Sequence, residues 1–439
     1  MMNVALPLAA FVILALLLVV RMPVGVAMLV VGIGGYVSLS GVDPVLAYMK
    51  TAAFWNYNSY SFSVIPMFLL MGQFASRSGL SAKLFDAANT FLGHRRGGVA
   101  MAAVCGCGAF GAICGSSLAT AGTMARVSLP ELKRYNYSNA LATGALAAGG
   151  TLGILIPPSV ALIVYAVAVE ANIVKMFMAA FIPGLLALIG YLLTIWLYVR
   201  IVPDAGPVGP ITGRDQRIKA LLNTWPTLLL FMVVIGGIYV GLFDPTEAAA
   251  VGLFGAGILA WWQGGMRLAG FVDSIKATAV TTAMIFIIVL GADFMNIFLA
   301  ISGFPEFIAD LVTGSSLDPY VILALIILFY LVLGCMLDSL AMIFLTVPIF
   351  WPIMSGLDFG MPVSDVQIWF GIIVLVVVEL GLITPPVGLN VLIIKAEALG
   401  TTLREVFVGV MPFLLSGIVR VILLVAFPAL TLWLPQILA

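Results

Sequence analysis

Charge is scarce in this sequence: Asp, Glu, Lys and Arg make up 9% of its 439 residues, where an ordinary soluble domain carries about 25%. A water-facing surface cannot be built from so few charges. The shortage excludes a soluble enzyme, a nucleic-acid binder and a disordered scaffold. Histidine is scarcer still, with His94 alone, which argues against a haem or metal redox protein. The four cysteines are Cys105, Cys107, Cys114 and Cys335. Their one C-x-C pair has no second pair and no histidine nearby, so it is no zinc pattern, and they read as small buried residues. No G-x-x-x-x-G-K-[ST] phosphate loop is present, so nothing points to ATP binding. The first residues, MMNVALPLAAFVILALLLVVR, lack a basic leader and a small-residue cleavage site. They read as a first membrane helix and not as a removed signal.

What the sequence has in abundance is apolar residues, at 63%. A membrane helix needs about 20 of them in a row. Long runs lie near 3–20, 22–40, 54–76, 139–169, 177–199, 225–243, 247–263, 278–300, 367–394 and 407–434. Two further stretches, about 98–125 and 321–353, are interrupted at their centres by Gly, Ser, Pro or Asp. Broken backbone at membrane depth is tolerated only where protein or a polar cavity covers it. Both stretches therefore read as re-entrant hairpins. Trp55, Tyr57, Trp225 and Trp433, near span ends, fit an interfacial aromatic belt.

Position makes the balanced charge informative. Place the N-terminus outside and let both interrupted stretches return to the side they left. Of the 19 basic residues, all but Lys50, Lys175 and Arg420 then fall on the cytoplasmic side, from Arg21 through Arg404. That is a strong positive-inside bias, and it degrades if either hairpin becomes a full crossing.

The same threading predicts an all-α polytopic protein of about ten spans and two hairpins in two inverted repeats. The first repeat covers 1–205 and the second 225–439, joined by a cytoplasmic linker at 206–224. Each half carries L-G-x-x-x-P-P within a long apolar span: Leu152 to Pro158, and Leu380 to Pro386. Proline lacks an N–H and clashes with the carbonyl four residues back. The helices are therefore expected to break at 153–158 and 381–386. Inverted halves with matched broken helices mark secondary transporters, whose substrate and ions bind near the midplane. Freed carbonyls, with Ser159 in the first half and Thr384 and Asn390 in the second, offer the several oxygens that sodium needs.

The first hairpin tip reads Gly111-Ala112-Ile113-Cys114-Gly115-Ser116-Ser117-Leu118-Ala119-Thr120. Its hydroxyls and the helix start behind it suit an anion such as a carboxylate. Small-residue helix packing uses the same residue types. The second tip, Gly334 to Ser339, includes Asp338. Charge inside the membrane is costly, about 2.5–3.5 kcal/mol per residue on insertion scales. Asp293, Asp338, Glu379 and Arg420 are the candidates. Glu379 is open to three roles: cation ligand, acceptor tying helices together, or partner of Arg420. Asp293 reads equally well as a surface residue near a span end, and Arg420 reads as a structural counter-ion.

The run G-A-I-C-G-S-S-x-A-T, followed by K-R-Y-N-Y-S-N-A-L-A-T-G-A-L-A-A-G-G-T-L-G-I-L-I-P-P-S, resembles the large membrane (M) subunit of tripartite ATP-independent periplasmic (TRAP) transporters. So do G-C-M-L-D at 334–338, P-I-F-W-P at 348–352 and E-L-G-L-I-T-P-P-V-G-L-N at 379–390. The resemblance covers nearly the whole chain. It implies an elevator-type, sodium-coupled importer of small organic acid anions in a bacterial inner membrane, with a scaffold and a mobile transport domain. By that resemblance, one sodium site draws on Cys114, Gly115, Ser116 and Ser117 with Gly153, Ile156 and Pro158. The other draws on Gly334, Asp338, Gly381, Thr384 and Pro386. Substrate is expected near Ser116, Thr120, Ser159, Thr384 and Asn390. Cys114 stands where the family commonly has serine, so only its backbone carbonyl suits sodium, and Val377 stands where asparagine is frequent. The resemblance further implies a small four-helix membrane (Q) subunit, here expected as a separate polypeptide, and a soluble periplasmic substrate-binding (P) protein. No cofactor other than the coupling ion is implied. The rival functions are a stand-alone anion/sodium symporter, an ion channel and an intramembrane enzyme; the last lacks a base near Ser116 or Ser117.

Overall fold

A computed structural model describes residues 5–20, 22–58, 60–209, 211–308 and 317–438. Arg21 and the side chain of Trp55 lie outside the described part. Among the described residues the regular structure is entirely helical. Lipid offers no hydrogen bonds to a bare backbone, so an apolar chain satisfies its peptide groups within helices. Helices α1 (Ala5–Val19), α2 (Val24–Ser40), α3 (Val42–Tyr57) and α4 (Tyr60–Arg77) lead to a short amphipathic α5 (Leu80–Leu92). The first hairpin is α6 (Gly98–Cys114) and α7 (Ser117–Arg134). A broken pair follows, α8 (Asn139–Leu155) and α9 (Val160–Ala168), and then the long α10 (Ile173–Ile201).

After the linker, α11 (Arg214–Phe231) continues through a π-turn at Met232–Gly236 to Tyr239. Next come α12 (Pro245–Trp262) and α13 (Leu268–Ser302), and the second hairpin of α14 (Pro319–Gly334) and α15 (Ser339–Ser355). The second broken pair is α16 (Val363–Gly381) and α17 (Leu389–Glu397). The chain closes with α18 (Leu403–Ala426) and α19 (Ala429–Leu438). Among the described residues, α10, the continued α11, α13, α16 and α18 are long and apolar enough to cross a membrane. The pair α8 and α9, bent by 47°, makes a sixth span if counted as one.

The two ends of the first hairpin lie together. The Gly97 amide, just before α6, donates to Gly206 O at 2.9 Å. The Ser138 amide, just after α7, donates to Ala205 O at 3.0 Å. Both ends thus dock on one short 3-10 turn, Pro203–Ala205. The basic segments also adjoin one another. Arg77 pairs with Asp273 at 3.8 Å, Lys83 bonds Gln263 at 2.5 Å, and Arg126 pairs with Glu397 at 2.9 Å.

Three details differ from the sequence expectations. Helices α3 and α5 lie largely outside the apolar runs, with only the end of α3 from Phe54 overlapping one, because each carries charge (Asp43 and Lys50; Lys83 and Asp86). The final run, 407–434, splits at Phe427-Pro428, where proline cannot continue the ladder. The first break begins later than Gly153: α8 stays helical through Leu155, and the Ile156 amide still reaches Leu152 O at 3.0 Å. Proline spoils the bond it would itself donate, so Pro157 and Pro158 leave the Gly153 and Ile154 carbonyls without a partner four residues on.

Glycines set the closest helix crossings. A Cβ at Gly25 or Gly32 of α2 would lie 2.7 or 2.6 Å from backbone atoms of α13. Small residues let membrane helices approach at backbone distance. At the crossing of α8 and α18, a Cβ at Gly409 would lie 1.9 Å from Ala140 O. A backbone oxygen cannot rotate away. Gly409→Val is expected to destabilise the chain by at least about 1–3 kcal/mol, the usual cost of overpacking. Its unfolding midpoint in detergent should fall clearly below that of the parent; an unchanged midpoint would contradict the crossing.

Candidate functional site

Helix α6 ends at Cys114, and Gly115 reverses the chain in the left-handed region at φ +65°. Glycine takes that conformation without a Cβ penalty. Ser116 then caps α7, its hydroxyl accepting the Ala119 amide at 3.4 Å. The tip sits against the last turn of α8 with glycine facing glycine. A Cβ at Gly111 would fall 2.5 Å from Gly153 Cα. One at Gly153 would fall 2.5 Å from Thr120 Oγ1 and 2.7 Å from Ser116 O, and one at Gly115 would fall 3.0 Å from Pro158 O. Gly111, Gly115, Ser116, Thr120, Gly153 and Pro158 thus gather in one place. Thr120 Oγ1 is buried without an oxygen or nitrogen partner, with the Cys114 thiol beside it. Gly72 of α4 faces this tip from outside, since a Cβ there would lie 2.9 Å from Cys114 O. Ile156 is buried in the break. Ser159 is fully buried and caps α9 through the Leu162 amide at 3.4 Å.

The second tip repeats this arrangement with different atoms. A Cβ at Gly381 would fall 2.5 Å from Gly334 Cα and 3.1 Å from Gly334 O. Asp338 caps α15, its carboxylate accepting the Leu340 and Ala341 amides at 3.2 and 3.3 Å. The Cys335 thiol donates to Pro385 O at 3.2 Å, and the Gly388 amide donates to Cys335 O at 3.4 Å, tying tip to break. Thr384 sits in the break with its hydroxyl donating to Leu380 O at 2.7 Å. Gly334, Gly381 and Thr384 are therefore close together, while Pro386 is exposed. Both Pro-Pro bonds, 157–158 and 385–386, are cis.

Asn390 of α17 lies away from the second tip. It is fully buried, and its side-chain amide donates to Ala147 O of α8 at 3.4 Å, with Oδ1 unpartnered. Its nitrogen would lie 3.3 Å from a Cβ at Gly150, one helical turn along α8 from Gly153. The second half thereby contributes a polar group to the wall of the first site.

The carboxylate of Glu379 lies between the two tips, fully buried. Its Oε1 accepts the Ser117 hydroxyl at 3.3 Å and the Ser339 hydroxyl at 2.9 Å. Of the three roles open to it, the hydrogen bonds fit the acceptor that ties helices together. Arg420 acts on it as the nearby opposite charge without reaching ion-pair distance, and stacks over the Tyr191 ring at 5.5 Å. Ser117 thus points at Glu379 and not into the first gap. Ser339 was not among the sequence candidates, although the match of Ser116-Ser117-Leu118-Ala119 to Asp338-Ser339-Leu340-Ala341 could have found it. Asp293 lies within α13 and accepts a hydrogen bond from the Tyr48 hydroxyl, so it is no bare surface residue.

Buried oxygens that lack partners, lined by glycine and free of nearby lysine, suit a hard monovalent cation. Unwound helices in transporters coordinate sodium in this way.

A family model described as "Tripartite ATP-independent periplasmic transporter, DctM component" matches residues 11–430. The C4-dicarboxylate TRAP transporter large permease protein DctM of Pseudomonas aeruginosa is 36% identical over 382 residues, 86% of this chain and 86% of that protein. The sialic acid TRAP transporter large permease protein SiaM of Vibrio cholerae is 28% identical over 422 residues, 96% of each chain. Among solved structures, the YdaH transporter of Alcanivorax borkumensis superposes with a TM-score of 0.60, covering 88% of this chain and 90% of that one. At 14% identity it shows a shared fold alone.

Proposed function

The chain belongs to the DctM component family of tripartite ATP-independent periplasmic transporters, and on that premise we propose that it is the membrane permease of a sodium-coupled, binding-protein-dependent importer of small organic acid anions. It is a transporter subunit and not an enzyme. The observation that carries the sodium reading is the paired geometry. Each hairpin tip meets a proline-broken helix glycine to glycine, and the first gap holds the Thr120 hydroxyl, which has no oxygen or nitrogen partner. One sodium would take carbonyl and hydroxyl oxygens from Ser116, Thr120, Gly153 and Pro158. A second would take them from Gly334, Gly381 and Thr384. The N-termini of α7 and α15 aim their positive ends between the tips, which favours a carboxylate there. Two of the relatives carry C4-dicarboxylate and sialic acid in their names, and both are carboxylate anions.

The same reading makes the two halves inverted repeats and assigns the hairpins with α8, α9, α16 and α17 to a body that moves against an outer frame containing α2, α4, α12 and α13. It places the chain in the bacterial inner membrane with its N-terminus periplasmic. A small four-helix membrane subunit and a soluble periplasmic binding protein complete the system. The test is reconstituted uptake of radiolabelled dicarboxylate or sialic acid with those two partners. Uptake should require inward sodium. Thr384→Ala should raise the half-maximal sodium concentration about tenfold, the loss of one ligand bond of about 1.4 kcal/mol. Ser116→Ala should raise it by a similar factor through the lost helix cap. Uptake by this chain alone, indifferent to replacing sodium with potassium, would sink the proposal.

A further inference from the structure

We propose that Glu379 is a positioning residue that couples the two hairpin tips, so that a cation at one tip sets the geometry of the other. The inference rests on the sodium-coupled reading above. Ser117 and Ser339 are the first residues of α7 and α15, each directly behind its cap, Ser116 or Asp338. Both caps belong to the expected cation sites. The two hydroxyls converge on one oxygen, Glu379 Oε1, at 3.3 and 2.9 Å. A displacement of either helix start therefore changes the acceptor that the other depends on. Two helix N-termini, with their positive ends, also meet at this one carboxylate.

Mere satisfaction of a buried carboxylate does not explain the arrangement. Satisfaction would engage both oxygens, yet Oε2 is buried with no partner while Oε1 takes one hydroxyl from each tip. Nor is the arrangement duplicated. In the L-G-x-x-x-P-P correspondence, Glu379 matches Thr151. The Thr151 hydroxyl stays within its own half, bonding Ala148 O at 2.7 Å and the Tyr191 hydroxyl at 3.0 Å. The carboxylate bridge thus comes from one half alone, and one substitution removes it. Coupled sites are expected to bind cooperatively, with a Hill coefficient up to the number of sites.

The test is a sodium titration of the full chain in lipid nanodiscs at constant ionic strength with potassium, read by intrinsic tryptophan fluorescence. The parent is expected to respond with a Hill coefficient approaching about two for two sites. Glu379→Gln keeps one carbonyl acceptor but turns two charge-assisted hydrogen bonds into neutral ones; it should lower the coefficient toward about one and raise the midpoint by up to about tenfold. Glu379→Asp keeps the charge opposite Arg420 but shortens the reach, and is expected to lose cooperativity as well. Should Glu379→Gln fail to fold, Ser117→Ala and Ser339→Ala carry the same test. Each alone should remove cooperativity, and the double variant should add little to either.

A parent with no sodium response sinks the transport reading and the coupling together. A cooperative parent whose Glu379→Gln variant remains equally cooperative sinks the coupling alone. Wild-type cooperativity in Glu379→Asp, or serine variants whose effects simply add, would likewise overturn it, leaving Glu379 as a counter-charge for Arg420.

Discussion

Gly381→Val is expected to abolish sodium-driven uptake while the outer helix pairs stay folded. Its Cβ would stand 2.5 Å from Gly334 Cα and 2.7 Å from the Gly334 carbonyl carbon. Neither atom can rotate aside, so the whole second tip must retreat. Overpacking of this kind costs about 1–3 kcal/mol, a factor of roughly 5–150 in any equilibrium that needs the tip in place. The retreat also separates the Gly334 carbonyl from Thr384, and the proposed second sodium site loses its geometry. Gly153→Val is the matched experiment at the first tip. There one obstruction is the Thr120 side chain at 2.5 Å and the other is Ser116 O at 2.7 Å, so the effect should be large but partly relieved by a threonine rotation. Comparing sodium-dependent uptake at equal amounts of folded protein checks both. Near-parental uptake by Gly381→Val would mean that the tip contact is not needed.

Arg420→Met is expected to lower the stability of the central bundle. Arg420 is 5% exposed, and its Nε and Nη2 lack hydrogen-bond partners. Its contribution is therefore mainly the charge it sets against Glu379 and its stacking on Tyr191. Methionine preserves much of the volume but strands the carboxylate. The two groups do not form an ion pair, so the loss is expected to stay below the about 3–5 kcal/mol of a broken buried pair. The double variant Arg420→Met with Glu379→Gln should recover part of the loss, because partners in one network do not add. Unfolding midpoints in detergent decide the matter. An Arg420→Met protein as stable as the parent would show that Glu379 needs no counter-charge.

The parts of this architecture legible in the sequence are those written in proline and glycine. Pro157-Pro158 and Pro385-Pro386 must break a helix wherever they stand, because the missing N–H is a local fact. The hairpins were legible because Gly115 and the polar tip residues cannot continue an apolar span. The meeting of Gly111 with Gly153, and of Gly334 with Gly381, was only half visible: each glycine marks a close approach, but none names its partner. The convergence of Ser117 and Ser339 on Glu379 was invisible, since two of these three residues are separated by more than half the chain. Tyr48 and Asp293 are a similar case. Helices α3 and α5 were not legible as spans, because their charged residues interrupt the apolar run that signals one.

The contact between Gly72 and the Cys114 carbonyl has a tribological meaning. Helices that interlock through side chains resist sliding, because ridges must climb out of grooves before they can advance. At Gly72 the frame offers the first tip a bare backbone with no ridge to climb. Under the proposed motion this point acts as a plain bearing: it carries load at close range and sets no preferred stop. At this point, any stop in the proposed motion would have to come from elsewhere.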